Sequence, residues 1–513
     1  MGSDNPDVLD FAGDYNLKGI ILQSHNGDGY DRARKQRVEG GVNIMPIVQE
    51  LNIYESIDKS SVTGTLVVLD AGNLIGNLPI QGTERVMFKL STPGTSGTNA
   101  IIDASEISGH PFYVYKISNR RQLSQGTLLY TIHFGSREFM RNLRIKVSKA
   151  YDGPIHGSVN AILGDKSGLD TRKTVYYEST KNSDKVVIPN LSPFDAIAML
   201  AKRALPRDGN GAGYYFYETA RSGFYFRSWG DMCTETHSFP RKPVQKFHYS
   251  PQNITDEKLN ENENMEKLDT KDKLLHDLQS VEEYKLLNNF HDTAAQTALG
   301  TYGHRVITHN LYNKSYNHYN FNYHREFNQV VHTDRTIGET SDNKQPVVST
   351  PVDFDELGVS DYSESRVSLV PTTQFSHGDD TGNYGVNVNQ DGRLDAYRIS
   401  GRNAIEAGTT IQLTVKGQTY LQPGDPILFD LRPVEERGQT ADEELLDKQY
   451  SGRYIVRSIR HRITKTDYKM VLIGSKDSVK TPFGRRTNKF PGEASKEHPD
   501  YIQTNKRDGR PGS

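Results

Sequence analysis

Residues 408–431 read GTTIQLTVKGQTYLQPGDPILFDL, and residues 450–476 read YSGRYIVRSIRHRITKTDYKMVLIGSK. Positions 410–415 alternate polar and apolar side chains, the two-residue period of a strand with one buried face. Gly417 and Gln418 turn the chain, and Gln422-Pro423-Gly424-Asp425 turns it again. Proline presets φ at the second position of that turn, and glycine supplies the positive φ at the third. Positions 427–431 resume a strand, 454–459 alternate, and 468–473 close the series. Short antiparallel strands punctuated by turns predict a small barrel or sandwich.

The same pattern stands near the other end of the chain. Residues 17–23 (LKGIILQ), 63–69 (TGTLVVL), 84–90 (ERVMFKL), 112–118 (FYVYKIS) and 127–134 (TLLYTIHF) read as strands. Asp70-Ala71-Gly72-Asn73 is a turn between them. Residues 1–16 are a polar lead, and 17–135 are expected to form one β-barrel.

Between the two β-rich ends the period changes. Residues 136–149 fall near helical spacing, as do 158–163 (SVNAIL). Residues 193–204 (PFDAIAMLAKRA) give the clearest helix, with Ser192 as N-cap and Pro193 at the first helical position. Residues 214–217 and 223–227 predict an aromatic hairpin that needs a buried partner, and that helix is the candidate. The charged run 255–279 reads as a solvated linker. A strand near 280–290 follows, then a helix at 292–299 capped by Asp292, then edge-type strands within 300–323. Residues 328–392 read as a long excursion apart from 367–370, and 392–404 as a short helix. The expected organisation is a lead (1–16), a first barrel (17–135), and a middle α+β domain (136–392) with excursions at 251–279 and 328–392. A second barrel (393–480), joined by the strand near 280–290, and a polar tail (481–513) complete it. The fold class is mainly β, with two similar antiparallel barrels flanking an α+β middle.

Composition bounds the function. The 513 residues are long enough for about three domains. Lysine plus arginine number 62 against 64 aspartate plus glutamate, so no global charge favours a nucleic acid or a membrane. The single cysteine, Cys233, excludes an intrachain disulfide and fits a reducing site of synthesis. No apolar run approaches the roughly 20 residues of a membrane helix. The 28 tyrosines beside one tryptophan suit strands with one dry face and one wet edge.

The order of these pieces resembles a known family. A strand, a "PGD" turn, a second strand, "GRYIV" and "RHRIT…YKMVLIG" resemble the C-terminal barrel of baseplate central hub proteins. These belong to contractile-tailed, T-even-like bacteriophages and are related to type VI secretion spike hubs. The turn at Asp70, the Leu74-Ile75 pair and Gly82-Thr83-Glu84 before a strand resemble the family's first barrel. "AML…GYYFYET…GFYFRSW" and "SVEEYK" resemble its middle domain. The resemblance implies a structural virion protein of the tail baseplate, made in the host cytoplasm. It implies a homotrimer joining a six-fold tail tube to a three-fold membrane-puncturing spike, with surrounding wedge proteins as neighbours. DNA would be passing cargo in its channel, and no membrane insertion is implied. The alternative is a β-rich tail protein that degrades or binds polysaccharide or peptidoglycan, for which convergent buried carboxylates in a cleft would speak.

No catalytic, cofactor or metal residue is assigned from the sequence, and no enzymatic activity or cofactor is expected. His304, His309, His318 and His324 lack metal-ligand spacing and read as surface or edge-strand histidines. Gly209-Asn210-Gly211-Ala212-Gly213 follows a helix and precedes a hairpin, the reverse of a phosphate cradle. Glu282-Glu283, Glu435-Glu436 and Glu443-Glu444 read as solvated faces. Cys233 has no nucleophile motif around it. The basic run Arg32–Arg37 lacks interleaved aromatics for base stacking and reads as a loop meeting an acidic neighbour.

Overall fold

The structure is a computed structural model that describes most of residues 9–479. The larger stretches outside it are 24–27, 32–35, 75–79, 94–99, 208–212, 235–243, 250–269, 335–344, 348–357, 373–391 and 432–445. The expectations for the polar tail, and those for most of the 435–448 loop and of both excursions, therefore lie outside the described residues.

The chain opens with β1 (Asn16–Gln23), a small hairpin of β2 (Asp28–Asp31) and β3 (Gln36–Glu39), β4 (Val42–Asn43), β5 (Val48–Ser56) and β6 (Thr63–Asp70). β7 (Arg85–Ser91), β8 (Ile101–Asp103), β9 (Phe112–Ser124) and β10 (Thr127–Gly135) complete the first β-segment. The middle follows as α1 (Arg137–Asn142), β11 (Val147–Pro154), α2 (Ile155–Gly164), β12 (Val175–Tyr177), β13 (Ser183–Leu191) and α3 (Pro193–Ala201). It continues through β14 (Tyr214–Thr219), β15 (Gly223–Ser228), α4 (Trp229–Thr234), β16 (Gln245–Tyr249), α5 (Thr270–Gln279) and β17 (Val281–Asn288). Next come α6 (Thr293–Leu299), β18 (Gly303–Asn310), β19 (Ser315–Asn322), α7 (Tyr323–Glu326), β20 (Val367–Thr372) and α8 (Arg393–Glu406). β21 (Thr409–Lys416), β22 (Pro426–Leu431), β23 (Gly452–Thr464) and β24 (Tyr468–Lys476) end the described fold.

The two β-segments are not separate units. They join in one 14-stranded sheet whose main path runs β17-β21-β24-β23-β5-β6-β10-β9-β7-β1-β4. The joint is an antiparallel ladder from Ser458↔Ser56 to Thr464↔Glu50. β23 pairs with β24 along one edge and, being 13 residues long, holds two further neighbours along the other. Its first residues pair with β22, from Phe429↔Gly452 to Pro426↔Ile455, and its later residues pair with β5. Two separate flanking barrels were expected, yet no closed barrel stands among the described residues. The open edges of β5 and β23 satisfy one another's backbone groups instead. One core follows from one sheet. Ile20, Leu66, Phe88 and Phe134 of the first segment pack in the same cluster as Leu51, Ile53, Ile459 and Ile463 at the joint and Leu413, Tyr454 and Leu472 beyond it.

The middle has its own core, where α2 and α3 cover β11–β13 and the β14–β15 hairpin. α3 starts where the sequence places it: the Ser192 hydroxyl accepts from the Asp195 amide, and Pro193 opens the helix. The aromatic hairpin finds that helix, with the Phe194 and Phe216 rings 5.8 Å apart. Four details differ from the sequence reading. The helical pattern of 136–149 ends at Asn142, because Val147 pairs with Leu191 and starts β11. Residues 270–279, expected as linker, form α5. β18 is central rather than an edge, flanked by β19 and β20. The last two residues of the basic run, expected as loop, lie in β3, where Arg37 pairs with Tyr30.

Candidate functional site

The strongest candidate surface is the face of the sheet opposite the core, where it crosses the joint. Strand alternation puts every second residue on it. Paired residues share a face, so the registers define a row running across seven strands. Lys416 lies opposite Lys469, Lys469 opposite Arg462, and Arg462 opposite Asn52. Asn52 continues to Thr65, Thr65 to His133, and His133 to Lys116.

Two carboxylates organise this row. Glu282, on β17, accepts from both Lys416 and Lys469 at 2.7 Å. Glu50 accepts from Arg460 at 3.2 Å and Arg462 at 3.1 Å. Partial burial alone would raise both carboxyls, but hydrogen bonds and the paired cations hold each below its ordinary range. Each carboxylate is shared by two cations; Lys469 also meets Asp467 at 3.3 Å, which balances the Glu282 group, while the Glu50 trio keeps a net positive charge. Arg460 also lies over the Tyr54 ring, 5.9 Å from its centroid. On the core side of the joint, the buried His461 stands between Glu55 at 3.3 Å and the Tyr468 hydroxyl at 2.8 Å.

A second charged cluster ties the middle domain to the sheet. Lys173 is bound by Glu138 of α1 at 3.2 Å and, more closely, by Glu218 of β14. The second Glu218 oxygen accepts the Val62 amide at 2.9 Å, and the Thr171 hydroxyl donates to Glu138 at 2.7 Å. Burial would lower Lys173, but the two glutamates override it and hold the ammonium above its usual range. Burial pushes Glu218 up despite Lys173. Glu138 is pulled below its ordinary range by Lys173 and Thr171, against burial. A polar cleft of about 280 Å³ opens beside the cluster, lined among others by Asp103, His110, Lys173, Glu218 and Arg221. Convergent carboxylates are thus present. Their oxygens are occupied by an ammonium, an amide and a hydroxyl, which makes them a clamp between α1, β14 and the turn before β6.

No protein-family model matches the chain, and no curated protein matches it. Among solved structures it is similar to the tail protein from Neisseria meningitidis MC58, at TM-score 0.45 and 9% identity, covering 90% of this chain and 97% of that one. It is similar to the 43 kDa tail protein of prophage MuSo2 from Shewanella oneidensis, at TM-score 0.42 and 11% identity, covering 90% and 100%. A third is an E. coli type VI secretion component with structural similarity to T4 bacteriophage tail proteins, at TM-score 0.37 and 8% identity, covering 85% and 75%. Two of these are tail proteins and one is a secretion-system component.

The residues singled out in the sequence are scattered. His304 is buried rather than edge-exposed: its Nδ1 lies 2.7 Å from the Gly300 carbonyl and its ring stacks on Phe321. Burial pushes its pKa down to about 4. His309 and His318 stand on the opposite face of that sheet, and His324, in α7, meets Gln345 at 2.7 Å. Among the described residues no three histidines, cysteines or acids gather as a metal site. Burial pushes the Cys233 thiol well up, which suppresses the thiolate. Glu283 pairs with Lys285 at 3.1 Å, whereas Glu282 joins the row above. Of the glycine run only Gly213 is described, and Glu435, Glu436, Glu443 and Glu444 lie outside. The row itself was missed, because Arg462 and Asn52 stand 410 positions apart and only the joint aligns the two halves.

Proposed function

We propose that the chain is a structural subunit of a contractile tail: a homotrimeric baseplate hub that connects a six-fold tail tube to a three-fold spike. Tube and wedge proteins are its other neighbours, and DNA passes through its channel. The carrying observation is the joint between β5 and β23. Two β-segments that resemble one another in sequence order are fused into one broad sheet with one dry and one wet face. On this reading each segment serves as one tube-like unit, so three chains offer six units to a six-fold neighbour. The sheet also ends in open edges. β17 pairs along its length with β21, and β9 beyond Val114, whose amide donates to the Glu84 carbonyl, pairs with β10 among the described residues. Open edges are templates for another copy. The test is copy number in isolated tails, by quantitative mass spectrometry against the tube protein. Three copies per tail, at one end, are expected. Six copies, or copies along the whole tube, overturn the reading.

The converging Glu138 and Glu218 favour a second reading, a glycan-cleaving tail protein. Purified chain incubated with peptidoglycan separates the two, since the hub reading expects no released fragments.

A further inference from the structure

We propose that the cationic row across the joint is a sequence-independent contact surface for the phosphate backbone of double-stranded DNA. This rests on the hub reading and specifies which face of the sheet meets the passing cargo.

The argument begins with geometry. Seven adjacent strands at about 4.8 Å spacing make the row about 29 Å long, close to one turn of duplex DNA at about 34 Å. Along it stand Lys416, Lys469, Arg462 and Lys116, with Arg460 one step away. Glu282, Glu50 and Asp467, the last 3.3 Å from Lys469, offset three of these five charges and leave the row net positive. The cationic side chains stay accessible: Lys469 keeps 31% of its side-chain exposure, Arg460 43% and Arg462 49%. The shared carboxylates also fix the cations in place before any ligand arrives, which reduces the ordering entropy of contact.

Shape decides which part of DNA is touched. The major groove is about 12 Å wide and admits a helix or a two-stranded ribbon. A sheet seven strands across cannot enter it, so its side chains reach phosphates and not base edges. Phosphate contacts position without reading sequence. That chemistry suits a surface along which DNA must slide.

The experiment uses the full-length protein and a mixed-sequence 30-base-pair duplex, with affinity measured by fluorescence anisotropy between 50 and 200 mM salt. About four phosphate contacts predict roughly a hundredfold weakening over that range. The double variant Lys116→Gln with Arg460→Gln should flatten the logarithmic salt slope by about two units. Lys185→Gln, an exposed lysine of β13 in the separate β11–β13 sheet, should leave the slope unchanged. A scrambled duplex should bind equally well. Absence of binding at 50 mM salt, or an unchanged slope in the double variant with its circular dichroism intact, overturns the proposal. Binding of polyglutamate without binding of DNA also overturns it, and assigns the face to an acidic protein. Copy number in the tail is read independently, so failure of the hub reading and failure of this contact remain distinguishable.

Discussion

The guanidinium of Arg227 donates to the carbonyl of Gly424 at 3.1 Å, joining the middle hairpin to the turn that opens the last three strands. Gly424 has φ +85°, and its amide donates to Val456 at 2.7 Å. A methyl group there would meet the Tyr217 hydroxyl at 2.4 Å and Arg227 Nη2 at 2.5 Å. Gly424→Ala therefore carries two costs, left-handed backbone strain of about 1–2 kcal/mol and steric overlap with a buried hairpin. Gly126 has the same φ of +85° with nothing within 4 Å of a new methyl, so Gly126→Ala carries the first cost alone. Urea midpoints should fall for both and clearly further for Gly424→Ala. Equal shifts would show that the hairpin does not press on the turn.

Much of this arrangement was legible locally and little of it globally. The turn at Gln422-Pro423-Gly424-Asp425, the cap at Ser192 and the cap at Asp292 are each decided by residues three or four apart, and each stands where the sequence puts it. Alternation also located β21, β22 and β24. It could not show that Arg462 faces Asn52, because register between strands 410 positions apart is settled by packing and not by period. For the same reason Lys173 carried no signal: its two glutamates lie 35 positions before it and 45 after it. His304 was misread because its neighbours in sequence are polar, while its neighbours in space are Phe321 and the Gly300 carbonyl.

Removing the cation from the clamp should be severe. Lys173→Met leaves Glu138 and Glu218 buried without their counter-ion, a loss of about 3–5 kcal/mol near neutral pH. Both carboxyls would then sit above their unfolded pKa, so the folded state would bind more protons than the unfolded one. The deficit should shrink as pH falls through the carboxylate range. Chemical denaturation at pH 7 and pH 4.5 reads this directly, and a deficit that is constant with pH would refute the clamp.

The same cluster separates structure from catalysis. Glu218→Gln removes the charge but keeps a group that can accept from the Val62 amide. It should lower stability by about 1–3 kcal/mol with no glycan hydrolysis in either protein. Turnover by the parent chain that vanishes in the variant would instead establish the enzymatic reading.

Lys476 supplies a test at alkaline pH. It is wholly buried at the end of β24, its ammonium donates to the Ser451 carbonyl at 3.0 Å, and it lies 5.0 Å from the Tyr454 ring centroid. Burial lowers its pKa to about 8, although Asp334, Asp447 and Asp477 pull it upward. In the unfolded chain a lysine titrates near 10.4. Between those values the unfolded state binds the extra proton, so this residue makes the fold more stable as pH rises from about 8 to about 10.4. Lys476→Met lacks that term. The stability of the parent relative to the variant should therefore climb by up to about 3 kcal/mol across the window, and level off above it. Parallel stability curves for the two proteins from pH 7 to pH 10.5 would mean that the lysine titrates alike in both states, and that its charge reaches water in the folded protein.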